Sequence, residues 1–120
     1  MPLALLGACG GVSPDNNRLE AAVTTFVDTL GRGEYDVAAS VMCPDAGDAA
    51  ALRTEFEPHP RPWKRKVTYT GRGDDSGNAN LDLTPEGRSV VKYTFGLEKL
   101  ADGSWQVCDV TRGSVQVDVG

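Results

Sequence analysis

The sequence predicts an α+β fold in which N-terminal helices pack on an antiparallel sheet of about four strands. Apolar residues in the first half recur at helical spacing, and from Trp63 onward they alternate with polar ones. A block of helices followed by a block of strands is the segregated order of α+β domains, not the alternation that builds a parallel sheet. The length, 120 residues, holds one domain and not two.

The elements follow in order. Ser13-Pro14-Asp15 is a helix start: a serine N-cap, proline at the first helical position and an acid in the first turn. Leu19, Val23, Phe26, Val27 and Leu30 then make one apolar stripe, and Gly31 and Gly33 stop the helix. A second helix runs from Glu34-Tyr35-Asp36 through Val41 and Met42, ended at Cys43 by Pro44. A third is expected from Ala46 to Phe56, stopped by Pro58, Pro60 and Pro62. Val67 and Tyr69 open the strand region, with a turn over 71–77. Ala79, Leu81 and Leu83 form the second strand, and a turn over 84–87 follows. Val91, Tyr93, Phe95 and Leu97 share one face of a long third strand. After Ala101-Asp102-Gly103-Ser104, a last strand covers Trp105 to Val110, with Ser114 to Val119 as a candidate extension.

Composition narrows the function. Net charge is −5, so the chain lacks the basic surface that general nucleic-acid binding needs. The longest apolar run falls far short of the roughly 20 residues of a membrane-spanning helix. There is no isoleucine, and eight arginines face four lysines, a pattern of GC-rich coding rather than of function.

The N-terminus carries the clearest motif. Leu6-Gly7-Ala8-Cys9 has the form of a bacterial lipobox: a branched apolar residue, two small residues beside the cleaved bond, and a thiol to receive the lipid. A signal peptide opens on positive charge, and no Lys or Arg precedes Arg18, so the true start is expected upstream. Residues 1–8 are thus read as the remnant of a signal peptide, 9–13 as lipidated Cys9 with a short tether, and 14–120 as one domain. Export to the outer face of the cytoplasmic membrane follows, with the lipid as anchor. Cys43 and Cys108 then remain as an even pair, which in an exported small domain reads as one disulfide. Zinc is a poor alternative, because the cysteines are far apart and the lone histidine, His59, sits in no motif. No metal or cofactor is expected.

Two other segments read as ordinary surface. His59 to Lys66 is the basic cluster, suited either to anionic head groups or, more simply, to a solvated edge strand. Asp74-Asp75-Ser76-Gly77-Asn78 resembles a calcium loop but lacks its closing glutamate, so it reads as a hairpin turn.

Phe26-Val27-Asp28-Thr29-Leu30 on a long first helix, then Gly33 to Ser40 (GEYDVAAS), then Asp102 to Val110 (DGSWQVCDV), carry a resemblance. The chain resembles the NTF2-like, or SnoaL-like, superfamily of cone-shaped domains over Pro14 to Val119, and looks nearest to exported actinobacterial members. The resemblance implies helices across the concave face of a curved sheet. It also implies that the second helix meets the last strand, which would bring Cys43 to Cys108. Ketosteroid isomerases of the superfamily use a carboxylate base and an oxyanion hole inside the cone. The candidate here is Asp109, which by alternation shares a face with Trp105 and Val107. The plainer reading of Asp109 is a solvated acid at a strand end, so no catalytic set is assigned. Tyr69, Tyr93, Phe95 and Trp105 are candidates to line a pocket, or else simply core.

The leading expectation is a non-catalytic lipoprotein domain that binds a partner protein or a small apolar ligand, with homodimerisation through the sheet left open. The alternative is a small isomerase-like enzyme working in the cone.

Overall fold

The computed structural model describes residues 14–113. Three helices, α1 (Pro14–Gly31), α2 (Tyr35–Ser40) and α3 (Ala49–Phe56), precede four strands, β1 (Lys64–Arg72), β2 (Ser76–Thr84), β3 (Val91–Lys99) and β4 (Trp105–Arg112). The strands form one antiparallel meander in the order β1-β2-β3-β4. The expected α+β order and strand number are what the structure shows. The Ser13 cap, Cys9 and the Ser114–Val119 extension lie outside the described residues.

The α1 stripe is the centre of the core: Leu19, Val23 and Leu30 are fully buried, with Phe26 and Val27 nearly so. It packs on the inner sheet face, where Ala79, Leu81, Leu83, Tyr93, Phe95, Leu97, Trp105 and Val107 are buried. Phe26 meets Phe95 edge-on at 6.0 Å. The C-terminal carbonyls of α1 find their donors in Arg61, whose Nε and Nη2 bond the Gly31 and Leu30 oxygens at 2.8 and 3.0 Å. A cation there also suits the negative end of the helix.

Both shorter helices differ from the spans expected of them. α2 ends at Ser40, because the chain turns to drop Met42 into the core and lend the Cys43 N–H to the Val107 carbonyl of β4. α3 starts at Ala49 rather than Ala46. Asp48 is extended there, and its carboxylate accepts from the N–H groups of Ala50 and Ala51, which makes it the N-cap. Just before it, the chain passes so close to α2 that a Cβ on Gly47 would clash with the Ala39 carbonyl oxygen. The first hairpin turn is tighter than 71–77: Arg72 still pairs with Gly77, leaving Gly73–Asp75 to turn.

Two β-bulges interrupt the ladder. Val67 pairs with Leu81 but Tyr69 pairs with Asn80, so Thr68 is the extra residue in β1. Leu97 pairs with Val107 but Gly96 pairs with Asp109, so Cys108 is the extra residue in β4. Each extra residue bends its strand and increases the local twist, which suits a sheet that must curve around α1.

Candidate functional site

A cavity of about 520 Å³ lies between α1, α2 and the start of β4. One long face of α1 lines it, from Arg18 through Ala21, Ala22, Thr25 and Phe26 to Thr29. These positions follow the three- and four-residue rhythm of one helix side, next to the core stripe. Val37 and Val41 close the second wall, and Ser104 to Val107 the third. Val37 and Val41 are 52% and 55% exposed, unusual for branched apolar side chains, and both face this groove. Trp105 is 6% exposed, and its Nε1–H has no acceptor among the described residues. Arg18 is the charged residue of the lining.

A second, smaller cavity of about 230 Å³ is polar and lies between α3 and the end of β4. It holds a chain of side-chain hydrogen bonds that sequence reading missed. Tyr93 Oη donates to Glu55 Oε2 at 2.6 Å and lies 2.7 Å from His59 Nε2. With the Tyr93 proton given to Glu55, His59 Nε2 carries the proton donated to the phenol oxygen. Arg112 donates to the same Glu55 oxygen through Nε and Nη2. Burial pushes the Tyr93 phenol well above its ordinary range, helped by its bond to Glu55. Burial lowers the His59 pKa, and the Arg112 charge adds to this. The arrangement can hold a proton between Tyr93 and Glu55 in a half-buried setting. Glu55 had a signal in the sequence, since it follows Leu52 by three residues and so shares its side of α3. Arg112 and His59 had none.

The structure scatters the expected site residues. Trp105 lines the large cavity, and Tyr93 reaches the small one with its hydroxyl. Phe95 is fully buried against Phe26 and serves the core. Tyr69 lines neither of these two cavities and borders only a shallow hollow at the first hairpin. The Thr68 bulge shifts it from the Leu81 side to the Asn80 side, and it stands 54% exposed on the outer face. Asp109 is moved off the core face in the same way, and it borders the small polar cavity. The Cys108 bulge sets Asp109 opposite Gly96 and gives Val110 the core position opposite Phe95. Asp109 is exposed, and its carboxylate accepts a bond from the Thr111 hydroxyl. It is not a buried base.

Cys43 and Cys108 come together across the free edge of β4, sulfurs in bonding contact and Cα atoms 4.8 Å apart. That Cα spacing is within the range of disulfides. The Glu98 carboxylate joins both sulfurs within 4.8 Å, but sulfurs bonded to each other offer no thiolate to a metal. The basic cluster dissolves into separate roles. His59 is buried, Arg61 caps α1, and Arg65 donates to both Asp28 carboxylate oxygens through Nε and Nη2 at 2.8 and 3.0 Å. That bond holds the Asp28 carboxyl below its usual range. Lys64 and Lys66 stay exposed on β1.

No family model matches the chain, and no curated protein matches its sequence. Solved structures do match in shape. A ketosteroid isomerase-like protein from Erwinia carotovora atroseptica aligns over 88% of this chain and 100% of its own, at 14% identity and a TM-score of 0.63. An NTF2-like protein of unknown function from Shewanella baltica aligns over 83% and 94%, at 13% identity and a TM-score of 0.57. A de novo designed protein with a curved β-sheet aligns over 80% and 99%, at 12% identity and a TM-score of 0.57. At such identities the likeness speaks for fold alone, and the fold is NTF2-like with a curved four-stranded sheet.

Proposed function

We propose that this chain is a non-catalytic binding domain that takes a small apolar ligand in the groove between α1, α2 and β4, and that it is exported and tethered to the outer membrane face through Cys9. The observation that carries the binding reading is the groove itself. A cavity of about 520 Å³ with apolar walls, flanked by two exposed valines, is the form of a ligand site rather than of packed core. Among the described residues, its lining carries no carboxylate to serve as a base. Support for export is the Leu6-Gly7-Ala8-Cys9 motif together with the pairing of the two remaining cysteines.

The test of binding uses N-phenyl-1-naphthylamine, a neutral apolar dye that brightens when it leaves water. Titration into the full chain should give a saturable rise. Thr25→Trp, which fills the groove from its helix wall, should abolish that rise while the far-UV circular dichroism and melting temperature hold. No saturable rise, or equal binding by the variant, would overturn the reading. Export is tested by the intact mass of protein expressed from its native locus and taken from the membrane fraction. Cleavage before Cys9 with added acyl mass supports the anchor, and an unmodified Cys9 removes it.

A second reading is an isomerase-like enzyme, as the name of the Erwinia neighbour suggests for that protein. The Glu55–Tyr93–His59 chain at the polar cavity favours it. That reading requires turnover of a ketosteroid that Glu55→Gln removes. Against it, one oxygen of Glu55 already carries three donors, from Tyr93 and Arg112.

A further inference from the structure

The groove has a direction, and the geometry points to one class of occupant: an exogenous single-chain amphiphile with an anionic head, such as a long-chain carboxylic acid. This rests on the apolar-site reading above and adds the length of the ligand and the charge and placement of its head.

Length comes from the helix wall. Arg18 to Thr29 is eleven residue steps. At 1.5 Å per residue the wall is roughly 16 Å long. One leaflet of a bilayer, half of its ~30 Å hydrocarbon core, is the length of one acyl chain and nearly the same. Polarity comes from the two ends. At the α1 N-terminal end stand Arg18, Ser104 and Trp105. Trp105 lies level with Leu19, since a Cβ on Gly77 would touch both, so the indole and Arg18 belong to the same end. Arg18 makes no hydrogen bond or ion pair among the described residues, and the Trp105 Nε1–H lacks an acceptor there. A buried donor without a partner is uncommon. Asp102, an acid within electrostatic reach of Arg18, already accepts from the backbone N–H and the hydroxyl of Ser104. The far end holds Phe26, Val37, Val41 and Thr29. There the Thr29 hydroxyl is occupied, donating to the Thr25 carbonyl at 2.9 Å and accepting from Arg32 Nη2 at 3.3 Å, and Arg32 is itself paired with Glu34, so that end offers no unpaired charge. A cation at one end of an apolar trough about one acyl chain long suits a carboxylate head over a hydrocarbon tail.

The experiment displaces N-phenyl-1-naphthylamine from the full chain, disulfide intact, with dodecanoate, dodecanol and hexanoate below their aggregation concentrations. Dodecanoate should displace at a concentration at least tenfold lower than dodecanol. Arg18→Gln should erase that advantage. Affinity should rise about fourfold per added methylene up to the groove length, so hexanoate should be far weaker. If the dye binds but acid and alcohol compete equally, or Arg18→Gln changes nothing, the anionic-head inference is wrong while the apolar site stands. If hexanoate matches dodecanoate, the single-chain inference is wrong. If the dye does not bind at all, the apolar-site reading fails with it.

Discussion

Breaking the Cys43–Cys108 link is the perturbation whose size the structure fixes best. The two residues are 65 apart in sequence and join the segment after α2 to the edge strand β4. A cross-link removes loop-closure entropy from the unfolded chain, and for a loop of this length the loss is worth about 4 kcal/mol. Folded domains hold roughly 5–15 kcal/mol in total, so the uncross-linked domain should be left only marginally stable. The assay is urea unfolding of the oxidised chain, the reduced chain and the double variant Cys43→Ala with Cys108→Ala. The reduced chain and the variant should both lose about 4 kcal/mol, with a larger dependence on urea because their unfolded states expose more surface. Agreement between them separates the cross-link from the packing of the two sulfurs. There is a functional reading as well. Val41 and Val107 face the same groove from the two joined segments, so dye binding should weaken on reduction at urea concentrations where the chain is still folded. The reasoning is refuted if the oxidised chain, shown by mass to hold the bond, unfolds at the same urea midpoint as the reduced one.

The remaining predictions concern the polar interior. Tyr93→Phe should cost about 1–3 kcal/mol, since it strands the buried His59 Nε2 while Glu55 keeps Arg112. Thermal melting should drop by about 4 °C per kcal/mol, and an unchanged melting temperature would mean the phenol bonds contribute nothing. Because burial lowers the folded-state pKa of His59, the unfolded chain binds its proton first as pH falls. Stability should therefore be full above pH ~6.5, the unfolded value, and decline below it toward the depressed folded value. His59→Gln should flatten urea midpoints across that window, and a wild-type midpoint constant from neutral pH down to pH ~5 would contradict the linkage. Arg61→Lys should destabilise by roughly 1–3 kcal/mol, because an ammonium cannot span the Leu30 and Gly31 carbonyls and the Tyr35 hydroxyl as the guanidinium does. An Arg61→Lys variant as stable as wild type in urea would show that α1 does not need the guanidinium at its end.

How far the sequence could be read depends on where counting by periods holds. On α1 it holds throughout, and all five stripe residues are core. On β3 it also holds, since Tyr93, Phe95 and Leu97 alternate inward with no interruption. On β1 and β4 it holds only up to the bulge. Trp105 and Val107 precede Cys108 and are buried as alternation requires, whereas Asp109 follows it and is not. Val67 precedes Thr68 and faces in, whereas Tyr69 follows it and faces out. Neither Thr68 nor Cys108 is the glycine or proline that would mark an irregularity, so nothing local announced the shift. The cue lies in the partner strand: aligning β4 on the unbroken β3 leaves Phe95 opposite Val110, an apolar pair that alternation within β4 alone would not give. The bulges are also what bends the outer strands, and a flat sheet would not wrap α1. The same two residues that curve the sheet therefore turn Tyr69 and Asp109 away from the buried sheet face. Both cavities are then walled jointly by helix and sheet: Arg18 to Thr29 on α1 face Trp105 and Val107 of β4, and Glu55 on α3 faces Tyr93 of β3 with Asp109 and Arg112 of β4.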